Sequence, residues 1–213
     1  GADAAILGAR AAYIGGVNAT ACTITDEVYG VPATGTMAHS WVQMFDTEYE
    51  AFKTYASIYP NSCTLLVDTY DTLKSGVPNA IRVFKEMQES GVELKKFGIR
   101  LDSGDLAYLS KKARKMLDEA GFPEASICAS NDLDEYLLMD LKVQGAKINV
   151  WGVGTNLITS KDNPSFGGVY KLAAIADQDG NFVPKIKKSE NIEKVTNPGN
   201  KKVYRIYDNE TGK

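Results

Sequence analysis

Histidine occurs once in the 213 residues and cysteine three times. A single histidine cannot build a zinc site alone. Cys22, Cys63 and Cys128 are odd in number, far apart and without a C-x-x-C pair, so neither a zinc ribbon nor a disulfide framework is expected. Cysteine usage of this kind fits a reducing cytoplasm. There is also no excess of one charge. Lys and Arg number 24 against 27 Asp and Glu, a net charge of -3, which argues against a surface built for a phosphate backbone and excludes nucleic acid as the main partner. No run approaches the roughly 18 apolar residues of a membrane span. The opening GADAAILGAR lacks a basic segment followed by a long apolar one, so neither insertion nor export is expected. The chain has no initial Met and opens inside a helical pattern, so we expect a piece of a longer protein.

Hydrophobic residues make up 44% of the chain, enough for a real core. Between residues 60 and 160 four short apolar runs recur: CTLLVDT (63–69), FGIRLDS (97–103), SICASN (126–131) and INVWGVGT (148–155). Their spacing of about 25 to 35 residues is that of a βα repeat. The segments between them are amphipathic at helical period: 77–90 with Ile81, Phe84 and Met87, 105–120 with Leu109, Ala113, Met116 and Leu117, and 132–144. Gly91, Gly121 and Gly145 follow as helix C-caps. Strands apolar on both faces, alternating with helices, predict a parallel sheet covered on both sides, either an α/β barrel or a doubly wound sheet. Upstream, the pattern predicts a helix over 4–14, a short element over 30–35 and one long helix over about 38–58. After residue 168 the texture changes. The segments 168–189 and 194–213 each place two β-like runs around turn residues, 179–181 and 197–200, and read as hairpins with lysine-rich, solvated edges.

Ligands of such sheets lie beyond the carboxyl ends of the strands, and here each end carries polar chemistry. The ends are Asp68-Thr69-Tyr70-Asp71, Asp102-Ser103-Gly104-Asp105, Ser130-Asn131-Asp132 and Gly152-Val153-Gly154-Thr155-Asn156. Taken singly, Asp71, Asp105 and Asp132 read as helix N-caps worth roughly 1 kcal/mol each. Four polar ends in succession would converge on one rim. The G-V-G-T stretch lets backbone amides and a hydroxyl approach a phosphate. Carboxylates beside a phosphate hold its hydroxyls or its metal, which suggests a phosphorylated sugar with Mg²⁺. Arg100 shares the parity of Asp102, so the two form either a structural ion pair or a ligand clamp. Trp151 reads as core. His39 follows Gly35-Thr36 at the start of a helical pattern, where an anion is favoured, although a lone histidine is more often a satisfied structural residue.

Together GTMAHSWV, LLVDTYDT, GIRLDSGDL, SNDLDE and GVGTNLIT, in this order, resemble the nicotinate phosphoribosyltransferase family over nearly the whole chain. The resemblance implies an irregular α/β barrel of the type II phosphoribosyltransferase kind with a β-hairpin extension. The barrel part would cover 1–175. Residues 176–213 would form the hairpins and lead to a further domain outside the chain. The implied activity is transfer of phosphoribose from phosphoribosyl pyrophosphate to nicotinate, giving nicotinate mononucleotide and pyrophosphate in NAD salvage, with Mg²⁺ and coupled hydrolysis of ATP. An N-terminal domain and a partner in a homodimer would complete the site.

The resemblance also implies roles. His39 would be transiently phosphorylated by ATP, and Thr36 would line the nicotinate pocket. Arg100 would meet the nicotinate carboxylate. Asp102 would meet the ribose hydroxyls, with Ser103 and Asp105 nearby. Gly152, Gly154 and Thr155 would hold the 5-phosphate, helped by Ser130, Asn131 and Asp132. No Mg²⁺ ligand is implied. A barrel aldolase or isomerase would instead need a Schiff-base Lys or a Glu base at a strand end, and none of the four ends has one. The other alternative is a catalytically incomplete fragment that acts only as a phosphosugar-binding or structural piece.

Overall fold

A computed structural model of the chain describes residues 1–159, 170–188, 195–204 and 206. Four parallel strands form the central sheet: β1 (Cys63–Leu66), β2 (Phe97–Leu101), β3 (Ser126–Ala129) and β4 (Val150–Trp151). They lie in the order β1-β2-β3-β4, with Leu66 opposite Arg100, Arg100 opposite Cys128, and Ala129 opposite Trp151. Successive crossovers are right-handed as a rule, so an order that never reverses puts the connecting helices on one face of the sheet. A doubly wound sheet would reverse its order at a switch point, and this one does not.

Burial along the strands agrees and corrects the expectation of two apolar faces. Cys63, Leu65, Val67, Ile99, Leu101, Ile127 and Ala129 are all within 1% of complete burial. They pack against helices α4 (Glu48–Ile58), α5 (Val77–Glu89) and α6 (Leu106–Glu119) through Phe52, Phe84 and Leu117. The intervening positions Thr64, Arg100, Ser126 and Cys128 are only half-buried. Side chains alternate across a strand, so one face is dry and the other mixes these half-buried positions with the buried Leu66. Rings of Phe84, Phe97 and Phe122 meet edge to face under the dry face.

Upstream lie α1 (Ala2–Ile14), α2 (Thr23–Tyr29) and the short α3 (His39–Gln43). The single helix expected over 38–58 is therefore two. The chain leaves α3 at Met44, and Thr47 restarts it as α4 with a capping box, its hydroxyl accepting from the Glu50 amide while Glu50 bonds back to Thr47. Trp41 ties the two pieces, its Nε1 donating to the Ala51 carbonyl at 3.0 Å.

A π-helical turn, Thr72–Gly76, precedes α5. Asp71 and Asp105 cap the following turns as expected, accepting from the amides of Leu73 and Lys74 and of Tyr108. Asp132 does not cap. The cap of α7 (Glu135–Val143) is Asp134, which accepts from the Leu137 amide, while Asn131 and Asp132 take positive φ values of 97° and 49° in the turn before it. The chain then forms α8 (Thr155–Ile158) after β4. Beyond it β5 (Ala174–Ala176) and β6 (Phe182–Pro184) pair antiparallel, with Asp177 bonding the amides of Asp179 and Asn181 in the turn. Of the second expected hairpin, residues 195–204 and 206 contain no strand and the remainder lies outside the described residues. No helix among the described residues is long and apolar enough to cross a membrane.

Candidate active site at the strand ends

Each strand of the sheet continues past its last paired residue into a polar exit. The parity that makes one face polar carries Asp68, Asp102 and Ser130 onto the same side as Arg100. Asp68 is 4% exposed and its Oδ2 accepts from the Asp102 amide at 2.9 Å and from Ser103 Oγ at 2.5 Å. Two neighbouring strand exits are thereby locked together by one carboxylate. Ser130 joins the third. Its hydroxyl accepts from Arg100 Nε at 2.8 Å and donates to Asp102 Oδ1, and Arg100 Nη2 reaches the same oxygen at 3.0 Å. Gly152, at the fourth exit, lies against Ser130: a Cβ placed there would stand 3.3 Å from the Ser130 Cβ. Asn156 donates to the Asp132 carbonyl at 2.7 Å and so ties the third and fourth exits.

His39 enters this cluster from α3. Its Nδ1 lies 3.0 Å from Thr69 Oγ1, and its Nε2 lies 3.5 Å from Asp102 Oδ2 and 3.8 Å from Asp68 Oδ1. The threonine hydroxyl can donate or accept and so serves either imidazole tautomer. Nε2 and Asp68 Oδ1 are both buried with no hydrogen-bond partner, although they face one another. Buried polar atoms left unpaired are uncommon and mark places where a ligand atom or proton completes the set. Burial alone would raise the Asp102 carboxyl. The approach of His39, the Ser130 hydrogen bond and the Arg100 charge outweigh it and hold the group well below the usual carboxylate range.

The remaining expected residues fall around this centre. Ser103 is in it. Thr36 is not, since its hydroxyl donates to the Thr64 carbonyl within β1. Asp105 is exposed and serves as the α6 cap, and Gly154 and Thr155 form the first turn of α8. Asn131 and Asp132 shape the strained turn after β3. Thr69 holds the imidazole and Asp68 faces it; the sequence places both in one of the four polar strand ends but assigns neither a role. The parity that links Arg100 to Asp102 also links Leu66 to Asp68 and would have found it. A cleft of about 490 Å³ opens beside the centre and shares Asp68 and Ser103 with it, with Tyr70, Asp71, Lys74 and Lys188 among its walls.

Parallel strands in sequential order, with carboxylate, imidazole, guanidinium and hydroxyl groups gathered at their carboxyl ends, define an α/β protein whose candidate ligand site is the rim of its sheet. Its family is established by comparison. The chain belongs to the nicotinate phosphoribosyltransferase (NAPRTase) family, whose model matches residues 10–210. It is 60% identical over 204 residues to the nicotinate phosphoribosyltransferase of Bacillus subtilis (strain 168), covering 96% of this chain and 41% of that relative. The crystal structure of human nicotinic acid phosphoribosyltransferase superposes with a TM-score of 0.57 at 26% identity, over 67% of this chain and 38% of that one. The crystal structure of a Vibrio cholerae nicotinate phosphoribosyltransferase gives a TM-score of 0.62 over 92% of this chain and 48% of its own, and at 16% identity the likeness is one of fold alone. The chain thus spans less than half the length of these proteins.

Proposed function

We propose that the protein to which this chain contributes transfers phosphoribose from phosphoribosyl pyrophosphate to nicotinate, releasing nicotinate mononucleotide and pyrophosphate, and couples this to ATP hydrolysis. The observation that carries the reading is the buried His39 held among Thr69, Asp68 and Asp102 at the strand ends of a chain matched by the family model over residues 10–210. Cleavage of the anomeric bond puts positive charge on the ribose and negative charge on the pyrophosphate. Carboxylates at the rim suit the first. Asp102 stays ionised and accepts from ribose hydroxyls through the oxygen that faces His39. Arg100 keeps one Nη without a partner among the described residues, and this nitrogen suits the nicotinate carboxylate while the others hold Asp102 and Ser130. Gly152, Gly154 and Thr155 offer backbone and hydroxyl donors to the 5-phosphate.

Mg²⁺ keeps several waters and takes one or two carboxylates beside substrate phosphates. The described residues contain no group of three side chains fit to hold a metal by themselves, and Asp68 Oδ1 is a buried carboxylate oxygen without a partner. That set fits a magnesium ion carried in with pyrophosphate, which Asp68 and Asp71 would meet. Once bound, the ion neutralises charge on the leaving group. In the whole protein the four strands would be part of an irregular barrel, completed by other segments and by a second copy in a homodimer, working in the cytoplasm.

ATP coupling rests on His39, whose buried Nε2 makes no hydrogen bond and is the ring nitrogen a phosphoryl group would take. Incubating the full-length protein with nicotinate, phosphoribosyl pyrophosphate and Mg²⁺ should yield nicotinate mononucleotide. Adding γ-labelled ATP should leave acid-labile phosphate on the peptide that contains His39. The variant His39→Ala is expected to lose ATP stimulation and keep slow transfer, since the bond cleavage does not itself use the imidazole. No mononucleotide from the wild type would overturn the activity, and label on a peptide without His39 would overturn the coupling.

A further inference from the structure

Glu48 has no part in the chemistry above, yet it is a carboxyl group only 5% exposed at the start of α4. Its Oε2 accepts from Ser75 Oγ at 2.6 Å and from Asn79 Nδ2 at 3.4 Å, and Asn79 Nδ2 also reaches Ser75 Oγ at 3.3 Å. Its Oε1 is buried without a partner. Burying a carboxyl costs free energy that an apolar residue would not, so the position is explained by what the group holds.

What it holds is the π-helical turn. The wide i to i+5 closure, Gly76 amide to Asp71 carbonyl at 2.9 Å, is uncommon and persists where neighbours support it. Asp71 supports the near end by accepting from Leu73 and Lys74. Glu48 supports the far end through Ser75. Gly76 abuts the end of β1 so closely that a Cβ there would lie 1.8 Å from the Val67 carbonyl oxygen, immediately before Asp68. Burial pushes Glu48 up against the opposing hydrogen bonds of Ser75 and Asn79, and the charges of Asp68 and Asp71 add to the rise. Tyr70 feels Glu48 in turn. Tyr70, Asp71, Thr72, Leu73 and Lys74 form a continuous wall of the 490 Å³ cleft that meets the His39 centre at Asp68 and Ser103.

We propose that Glu48 is a positioning residue: through Ser75 and Asn79 it fixes the Thr72–Gly76 turn, and with it the 70–74 wall of the cleft that receives the phosphoribosyl donor. The assignment rests on the transfer reaction proposed above for the role of the cleft, and on geometry alone for the role of Glu48. In the full-length protein, initial rates with each substrate varied in turn are compared for Glu48→Ala, Ser75→Ala and Glu48→Gln, beside amide hydrogen exchange of residues 71–76 without substrate. Glu48→Ala and Ser75→Ala should raise KM for phosphoribosyl pyrophosphate about tenfold, leave kcat and the nicotinate KM within about threefold, and speed exchange at 71–76. The Gln variant, whose amide oxygen can accept the same two bonds, should restore both readouts. Equal effects on both substrates, a Gln variant as impaired as Ala, or an unchanged KM in Ser75→Ala would overturn the proposal. If the wild type transfers no phosphoribose, the reaction falls and exchange decides for Glu48: unaltered protection of 71–76 in Ser75→Ala would overturn its role.

Discussion

At Asp102, half-buried, and Glu48, buried, two carboxyl groups are moved in opposite directions, and the signs predict opposite responses to acid. Asp102 is held low, so its contribution to stability is complete above the unfolded carboxyl value near 4 and is lost as pH falls through the folded value. Glu48 is held high, chiefly by burial, so its contribution is present below the unfolded value and is lost as pH rises through the folded one. Denaturant unfolding should therefore find Asp102→Asn less stable than wild type by about 2 kcal/mol at pH 7, between the values for an exposed and a fully buried pair, with the gap narrowing below about pH 4. Glu48→Gln should cost little at pH 7. A gap at Asp102 that stays constant into acid would mean that its charge does not hold the site. In the sequence, His39 stood out as the single histidine, Arg100 and Asp102 by shared strand parity, and Ser103 and Ser130 by their place in the polar strand ends. Asp68 and Thr69 were legible only as part of a polar strand end, with no role attached, and Glu48 sits in an ordinary helix start that only the packing of the chain singles out.

Helices and strands were legible where a single period governed them. The dry face of α5 and α6, and the glycines after them, follow from the sequence pattern and local backbone geometry. Gly91, Gly121 and Gly145 all take positive φ just past helix ends. Apolar residues continue through Met44 and Phe45, so periodicity reads one helix over 38–58, and only the reciprocal bonds of Thr47 and Glu50 reveal the break. The π turn was invisible for a related reason: a one-residue widening of a helix start leaves the apolar spacing of Val77, Ala80, Val83 and Phe84 intact. It does leave a trace in Gly76, where space and not conformation demands glycine. Gly76→Ala should lose about 3 kcal/mol or more, because the obstructing atom is backbone oxygen that cannot rotate away. Thermal unfolding within a degree or two of wild type would show that the loop yields easily and that the turn is not a fixed wall.

The sheet leaves β1 and β4 as edges among the described strands, and α7 presents Tyr136, Met139 and Val143, each at least 65% exposed, at helical spacing. Exposed apolar stripes and unpaired strand edges each favour association. The chain of 213 residues should bind a hydrophobic dye and sediment with concentration-dependent mass. Weak dye binding by the short chain would show these faces to be adequately solvated. Whole-molecule order was the least legible level, because amphipathic periods say that strands and helices alternate and not which strand neighbours which. The sequential order that emerged also has a consequence in time. During synthesis the imidazole of His39 is made first, Asp68 later, and Asp102 another 34 residues after that, about two to seven seconds at roughly 5 to 20 residues per second. Throughout that interval Asp68 lacks the Asp102 amide and the Ser103 hydroxyl that fix it, and the nascent polypeptide owns a histidine with no assembled centre around it. The candidate site is thus assembled only after the strand ends that form it have left the ribosome one by one, Ser130 last of its cluster.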